Sequence, residues 1–190
     1  MNTRTQREQR ADALLARRRL HPDFRDQASH RIAGSFLRSP LFYSASRIGC
    51  YLAMPDEVAT DDILSRAWSA SKRTFCPVVG ARGERLRFIE VARESTLIRS
   101  NFGLLEPSNG EEIDPLDLDV VITPLVAFDS FGSRIGMGAG YYDRTFARLA
   151  RCRSWVHPKL VGLAFSCQKV RKIKANPWDI ALWKIITERD

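Results

Sequence analysis

The sequence predicts an α/β fold: a single layered domain with a mostly parallel central sheet. Short apolar runs alternate with segments whose apolar residues recur at helical spacing, the pattern of a layered domain. The run at 119–128 is apolar almost throughout, which suits a parallel strand covered on both faces. No repeat or linker interrupts the pattern, so residues 1–190 read as one domain.

Two helices open the chain, at 5–20 and 23–37. Ala11, Leu14 and Leu15 give the first its apolar face, and Phe24, Ala28, Ile32, Phe36 and Leu37 the second. Pro22 and Pro40 punctuate them. A buried strand follows at 47–53. Thr60, Asp61 and Asp62 then start a helix, the hydroxyl placed to cap free N–H groups and the carboxylates facing the positive dipole end. That helix buries Ile63, Leu64, Ala67 and Trp68 and stops near Lys72. Strands at 74–79 and 86–91 are separated by Gly80 and Gly83. After the central run at 119–128, Asp129 to Ser133 form a turn. Tyr142, Phe146, Leu149 and Ala150 mark a helical face, and further strands lie at 160–165 and 180–187.

The chain of 190 residues has 44% hydrophobic and 27% charged residues, the balance of a chain that buries a core. No apolar run reaches the ~20 residues of a membrane span, and no apolar segment follows the Arg-rich start as in a secretory signal. A soluble, cytoplasmic, monomeric protein without a membrane partner is expected. Cys50, Cys76, Cys152 and Cys167 are widely spaced and, like His21, His30 and His157, form no zinc-binding pattern. Cys50 and Cys76 fall in apolar runs and read as reduced core residues. The net charge of +8 favours an anionic ligand. Residues 1–50 hold ten Arg against four acidic residues, and between Asp143 and Asp179 there are nine basic residues and no acidic one. No nucleic-acid-binding pattern accompanies them, so nucleic acid is set aside as a partner.

The segment Arg134-Ile135-Gly136-Met137-Gly138-Ala139-Gly140-Tyr141-Tyr142-Asp143-Arg144 lies between a buried strand and a helix. Alternate glycines let a backbone approach a ligand closely, and a helix start adds positive potential, which together describe a phosphate cradle. It is neither a P-loop, since no Gly-Lys-Ser/Thr follows, nor a dinucleotide fingerprint, since Tyr141 takes the place of the third glycine. Asp143 suits either the helix dipole or a Mg²⁺ ion, and Asp179 either an Asx-turn or a second metal contact. Glu57, just past a strand end, stands where open α/β sheets bind ligands.

The run 119–129 with Gly132, Arg134 and Gly136 to Asp143 resembles the signature of the 5-formyltetrahydrofolate cyclo-ligase (5,10-methenyltetrahydrofolate synthetase) family. The likeness extends to the Arg-rich first helix, Tyr51 to Glu57 with Thr60, Lys72, Phe102 to Pro107, Trp178-Asp179 and Thr187. It implies a fold similar to the sugar-phosphate isomerase and CoA-transferase group. It also implies ATP-dependent closure of 5-formyltetrahydrofolate to 5,10-methenyltetrahydrofolate through a phosphorylated formyl group, with Mg²⁺. On this resemblance Arg10, Arg134 and Ile135 to Tyr142 bind ATP, and Arg134 and Tyr142 are catalytic. Leu52, Glu57, Gly138 and Tyr141 bind the folate, while Asp143 and Asp179 hold Mg²⁺. Ala139 and Gln6 stand where the family often has lysine, so two phosphate contacts are either missing or supplied by Arg7, Arg144 or Lys172, and Trp178 stands where the family often has histidine. The basic stretch between Asp143 and Asp179 suits either a solvated basic face or a track for a polyglutamylated substrate.

Overall fold

The computed structural model describes residues 5–100, 103–151 and 157–190. The elements run in the order α1 (Gln6–Arg18), α2 (Pro22–Leu37), α3 (Pro40–Ser44), β1 (Arg47–Gly49), α4 (Asp61–Ser69), β2 (Arg73–Val78) and β3 (Arg87–Val91). Then come β4 (Leu97–Arg99), β5 (Leu105–Pro107), β6 (Glu112–Ile113), β7 (Val120–Thr123), β8 (Ala127–Phe128) and β9 (Arg134–Ile135). The chain ends with α5 (Tyr141–Thr145), β10 (Lys159–Leu163) and β11 (Lys184–Ile186).

One seven-stranded sheet organises the molecule, in the order β11-β10-β7-β1-β2-β3-β6. The pairs from β11 to β2 are parallel, and β3 and β6 add an antiparallel edge. Alternate residues of β7 serve two cores, as period-two geometry demands. Val120 and Ile122 pack with Ile32, Phe36, Ile48 and Ile63 beneath α2 and α4. Val121 packs on the other face with Phe75, Phe88, Phe146 and Leu160. Burial on both faces explains why the run at 119–128 is apolar at nearly every position rather than at every second one.

Several predicted elements are shorter than their apolar runs. The strand at 47–53 pairs only through Gly49, and 50–53 continue as irregular backbone beyond the sheet edge. The run at 119–128 divides at Pro124, which has no N–H for a ladder. Beyond it, Gln168 donates to the carbonyls of Leu125 and Val126 (3.0 and 2.8 Å), and Ala127–Phe128 turn back on β9 as a hairpin. The buried Asp129 closes that hairpin by accepting from Phe131 and Ser133 N–H (2.9 and 3.0 Å). The helix expected from Tyr142 to Ala150 has only five α-helical residues, followed by 3₁₀ turns at Ala147–Arg151. Strand β10 starts one residue before its predicted run and ends at Leu163, and β11 occupies the later part of its run.

The Thr60 hydroxyl does not cap α4; it donates to the Tyr51 carbonyl at 2.8 Å and ties the end of β1 to the helix start. The face of α1 is the largest departure. Its buried residues are Gln9, Ala13 and Arg17, while Ala11 and Leu15 are exposed. Gln6 and Gln9 donate to the carbonyls of Lys174 and Lys172 (2.9 and 2.8 Å), so this helix docks on the rest of the chain mainly through polar groups. The segments β4 and β5 form a separate two-stranded ribbon that the sequence pattern did not announce. Cys50 and Cys76 are buried, their thiols pushed up in pKa by burial, to about 12 for Cys76. Cys152 and Phe102 lie outside the described residues. Among the described residues, no helix is long and apolar enough to cross a membrane.

Candidate active site

The sheet order sets the place of the site. From β1 the chain moves outward to β2 and β3, whereas β7 lies on the opposite side of β1 and continues outward to β10 and β11. The connections therefore diverge between β1 and β7, the switch point at which open α/β sheets leave a crevice beyond their carboxyl ends. A cavity of about 640 Å³ lies there, lined by Tyr51 and Leu52 after β1 and by Pro124 to Val126 after β7. The residues that the resemblance assigned to ATP, folate and Mg²⁺ all line this one cavity: Arg10, Leu52, Glu57, Arg134 to Asp143 and Asp179.

The glycine loop is shaped from within and held from outside. Gly138 and Gly140 have φ of +103° and +69°, where a side chain would be strained. Gly136 has an ordinary φ, and a Cβ built on it meets nothing within 4 Å, so the protein itself gives no packing reason for a glycine. Arg10 Nε donates to the Gly136 carbonyl at 2.8 Å, and Arg144 Nη1 to the Ala139 carbonyl at 2.7 Å. Arg144 also donates to the Glu84 carbonyl and lies over the Tyr141 ring, 5.1 Å from its centroid. Of the three cations expected to replace lysine, Arg144 lines the cavity and Arg7 and Lys172 do not. Five residues give α5 little macrodipole, so the positive potential here comes from arginines and loop N–H groups rather than from the expected helix end.

Arg134 is almost buried and spans two neighbours, donating Nη2 to Asp143 Oδ1 at 2.8 Å and Nη1 to the Ile180 carbonyl. The Ile180 N–H also donates to Asp143 Oδ1, at 3.0 Å. Asp179 accepts from the Asn176 N–H at 2.8 Å and from its side-chain amide, the turn arrangement that its sequence context suggested. Among the described residues no three His, Cys, Asp or Glu side chains converge on a common point. Mg²⁺ on phosphates takes only one or two carboxylates and several waters, so Asp143 and Asp179 on one cavity wall fit that ion.

Glu57 closes the loop after β1. Its carboxylate accepts from the Met54 N–H at 3.1 Å and lies 3.8 Å from Arg17 Nη1. Burial pushes its pKa up, against the opposing pull of the Met54 N–H and Arg17. Tyr142 stacks on Phe146, with ring centroids 6.3 Å apart, and its buried hydroxyl has no hydrogen-bond partner in the protein. Burial, then Cys50 and Glu57, hold that hydroxyl well above the ordinary tyrosine pKa, so it remains a proton donor.

Sequence reasoning missed Arg17 and Asp56, which brace the Glu57 loop, and Asn176, which fixes Asp179. The spacing of Arg10 and Arg17 was the available signal, since seven residues return to the same helical face. A second cavity of about 680 Å³ lies between the β8–β9 turn and the C-terminal segment and contains none of the predicted site residues.

The family model described as the 5-formyltetrahydrofolate cyclo-ligase family matches residues 2–188. The chain is similar to the 5-formyltetrahydrofolate cyclo-ligase of Escherichia coli, at 34% identity over 90% of this chain and 93% of that protein. It is also similar to that of Haemophilus influenzae, at 30% identity over 98% and 99%. Among solved structures it is similar to the 5,10-methenyltetrahydrofolate synthetase of Aquifex aeolicus, with TM-score 0.83 and 28% identity over 97% of this chain and 90% of that one. The synthetase from Mycoplasma pneumoniae gives TM-score 0.75 and 25% identity over 96% and 98%. With its signature glycine loop and the Glu57 loop facing one crevice of the shared fold, this chain belongs to the 5-formyltetrahydrofolate cyclo-ligase family, a family of ligases.

Proposed function

We propose that the chain closes 5-formyltetrahydrofolate to 5,10-methenyltetrahydrofolate at the expense of ATP, releasing ADP and phosphate. One observation carries the reading. A single cavity combines a largely buried carboxylate, that of Glu57, and apolar groups with a glycine loop bordered by Arg10, Arg134 and Arg144. The first suits a pterin, whose N–H groups need an acceptor in a largely apolar wall, and the second suits a polyphosphate.

In this reading Glu57 accepts hydrogen bonds from the pterin, and Leu52, Tyr141 and Gly138 border the folate. The loop Ile135 to Tyr142 receives the ATP phosphates, with Arg10, Arg134 and Arg144 supplying positive charge. The formyl oxygen attacks the γ-phosphorus, forming an O–P bond as the bond to ADP breaks. N10 then bonds to the formyl carbon and loses its proton, and the C–O bond breaks with departure of phosphate. The protein supplies alignment and fixed charge rather than a covalent nucleophile. Arg134 and the protonated Tyr142 hydroxyl are the donors placed to meet charge on the transferred phosphoryl group. Asp143 and Asp179 would hold Mg²⁺, which neutralises phosphate charge when bound. Exposed Arg171, Lys172 and Lys174 offer a cationic surface to a polyglutamate tail.

The test is the absorbance of methenyltetrahydrofolate formed from 5-formyltetrahydrofolate with and without ATP. Product that forms only with ATP, matched by equal ADP, is expected. Absence of product with ATP, or cyclisation indifferent to it, would overturn the reading.

A further inference from the structure

Arg17 is nearly buried, 3% exposed, on a helix whose other end faces the glycine loop. Its Nε and Nη2 both donate to Asp56 Oδ2, at 3.2 and 2.9 Å. Its Nη1 lies 3.8 Å from Glu57 Oε1 and 3.5 Å from the Leu125 carbonyl. Every one of these partners belongs to a segment that lines or borders the cavity, yet Arg17 itself does not line it. Burying a guanidinium is costly, and an apolar residue of similar volume usually serves stability as well or better. The placement is therefore better explained by what the fork holds.

Arg10 and Arg17 are seven residues apart, roughly 10.5 Å along one helical face. The first holds the glycine loop through the Gly136 carbonyl, and the second holds the Met54 to Glu57 loop. We propose that Arg17 is a positioning residue of the substrate site: it fixes the Glu57 loop from α1, so that the Glu57 carboxylate faces the cavity correctly oriented. The inference rests on the reading that Glu57 meets the folate.

The charged and titratable groups around Glu57 define the expected signs. Arg17 faces it from α1, Asp56 from its own loop, and the Tyr51 and Tyr142 hydroxyls from the end of β1 and from α5. Arg18 reaches Asp56 only at 3.9 Å and is largely exposed. Without Arg17, Asp56 repels the Glu57 charge unopposed, so a higher pH is needed to ionise it. Without the Asp56 charge, a lower pH suffices.

The experiment measures kcat and KM for 5-formyltetrahydrofolate and for ATP across pH, in the wild type and in Arg17→Met, Arg17→Lys, Asp56→Asn and Glu57→Gln. Arg17→Met should raise the folate KM about tenfold with the ATP KM within about twofold, and should move the acidic limb of kcat/KM for the folate to higher pH. Arg17→Lys should return that limb towards the wild type but keep the KM raised, since one ammonium cannot span all three acceptors. Asp56→Asn should move the limb to lower pH, and it decides the matter if Arg17→Met does not fold. The inference is overturned if the limb stays in place in the variants that fold, or if both KM values rise together. If Glu57→Gln leaves the folate KM unchanged, the folate reading of this wall fails, and the role of Arg17 falls with it.

Discussion

Arg134 Nη2 and Asp143 Oδ1 are 2.8 Å apart, and the same Asp143 oxygen accepts from the Ile180 N–H. The carboxylate proposed to face a metal is thus also the counter-ion of an almost buried guanidinium. Asp179 has no such duty, since its hydrogen bonds close a local turn with Asn176. The two aspartates should respond differently to loss of charge.

Asp143→Asn leaves Arg134 without its counter-ion. Because Asp143 is partly exposed, the cost should fall below the roughly 3–5 kcal/mol of a fully buried pair, at about 2 kcal/mol of unfolding free energy. Asp179→Asn should leave the denaturation midpoint nearly unchanged and raise the Mg²⁺ concentration needed for half-maximal turnover. Denaturant titration and a Mg²⁺ titration check the pair. An unaltered Mg²⁺ curve for Asp179→Asn would assign that residue to the turn alone.

Gly136 has ordinary backbone geometry and open space where a side chain would begin. Gly136→Ala should therefore change stability by less than about 0.5 kcal/mol. Its methyl would project into the space assigned to phosphate, and the ATP KM should rise about tenfold while the folate KM holds. Equal ATP kinetics in the variant would move the phosphates elsewhere in the cavity.

The orphaned Tyr142 hydroxyl makes a contrary pair of effects testable. Tyr142→Phe removes a buried donor that the protein does not satisfy, so the ligand-free protein should be equally stable or more stable by about 1 kcal/mol. If that donor meets the transferred phosphoryl group, kcat should fall about tenfold or more. Thermal denaturation and steady-state rates separate the two, and a lower midpoint with unchanged kcat would assign the hydroxyl a purely structural partner.

Burial raises the Glu57 pKa above its unfolded value, so its ionised form is the less stable one in the fold. Its contribution to stability is fully present below the unfolded pKa and is lost as pH rises through the folded one. Glu57→Gln should abolish that loss, making the variant no less stable than the wild type at neutral pH. The folate KM should nevertheless rise about tenfold, because charge-assisted bonds are roughly twice as strong as neutral ones. Stability curves over the acidic range and folate KM values test both halves.

How much of this was legible follows from what periodicity reports. Two-sided burial made β7 visible, and the glycine spacing marked the loop at 136–140. Strand ends were not legible, because apolar character persists where pairing stops: residues 50–53 and 124–128 leave the sheet yet remain packed. The buried side of α1 was hidden for the opposite reason. Beside the apolar contacts of Ala13 and Leu14 its anchoring is polar, and Gln9 and Arg17 look like solvent-facing residues until their distant acceptors are known. The partners of Arg134 likewise depend on the path of the segment 176–180, whereas the Asp179 turn with Asn176 is local and was legible.

The docking of α1 also bears on the order in which the molecule can be completed. This helix is made well before the carbonyls that receive Gln6 and Gln9, which belong to Lys174 and Lys172. It must wait beside a nascent sheet until that segment is made, and its exposed arginines keep it in water meanwhile. Both loops of the cavity are fastened by that helix, so stabilisation by any ligand bound there has to await synthesis of the segment 172–174.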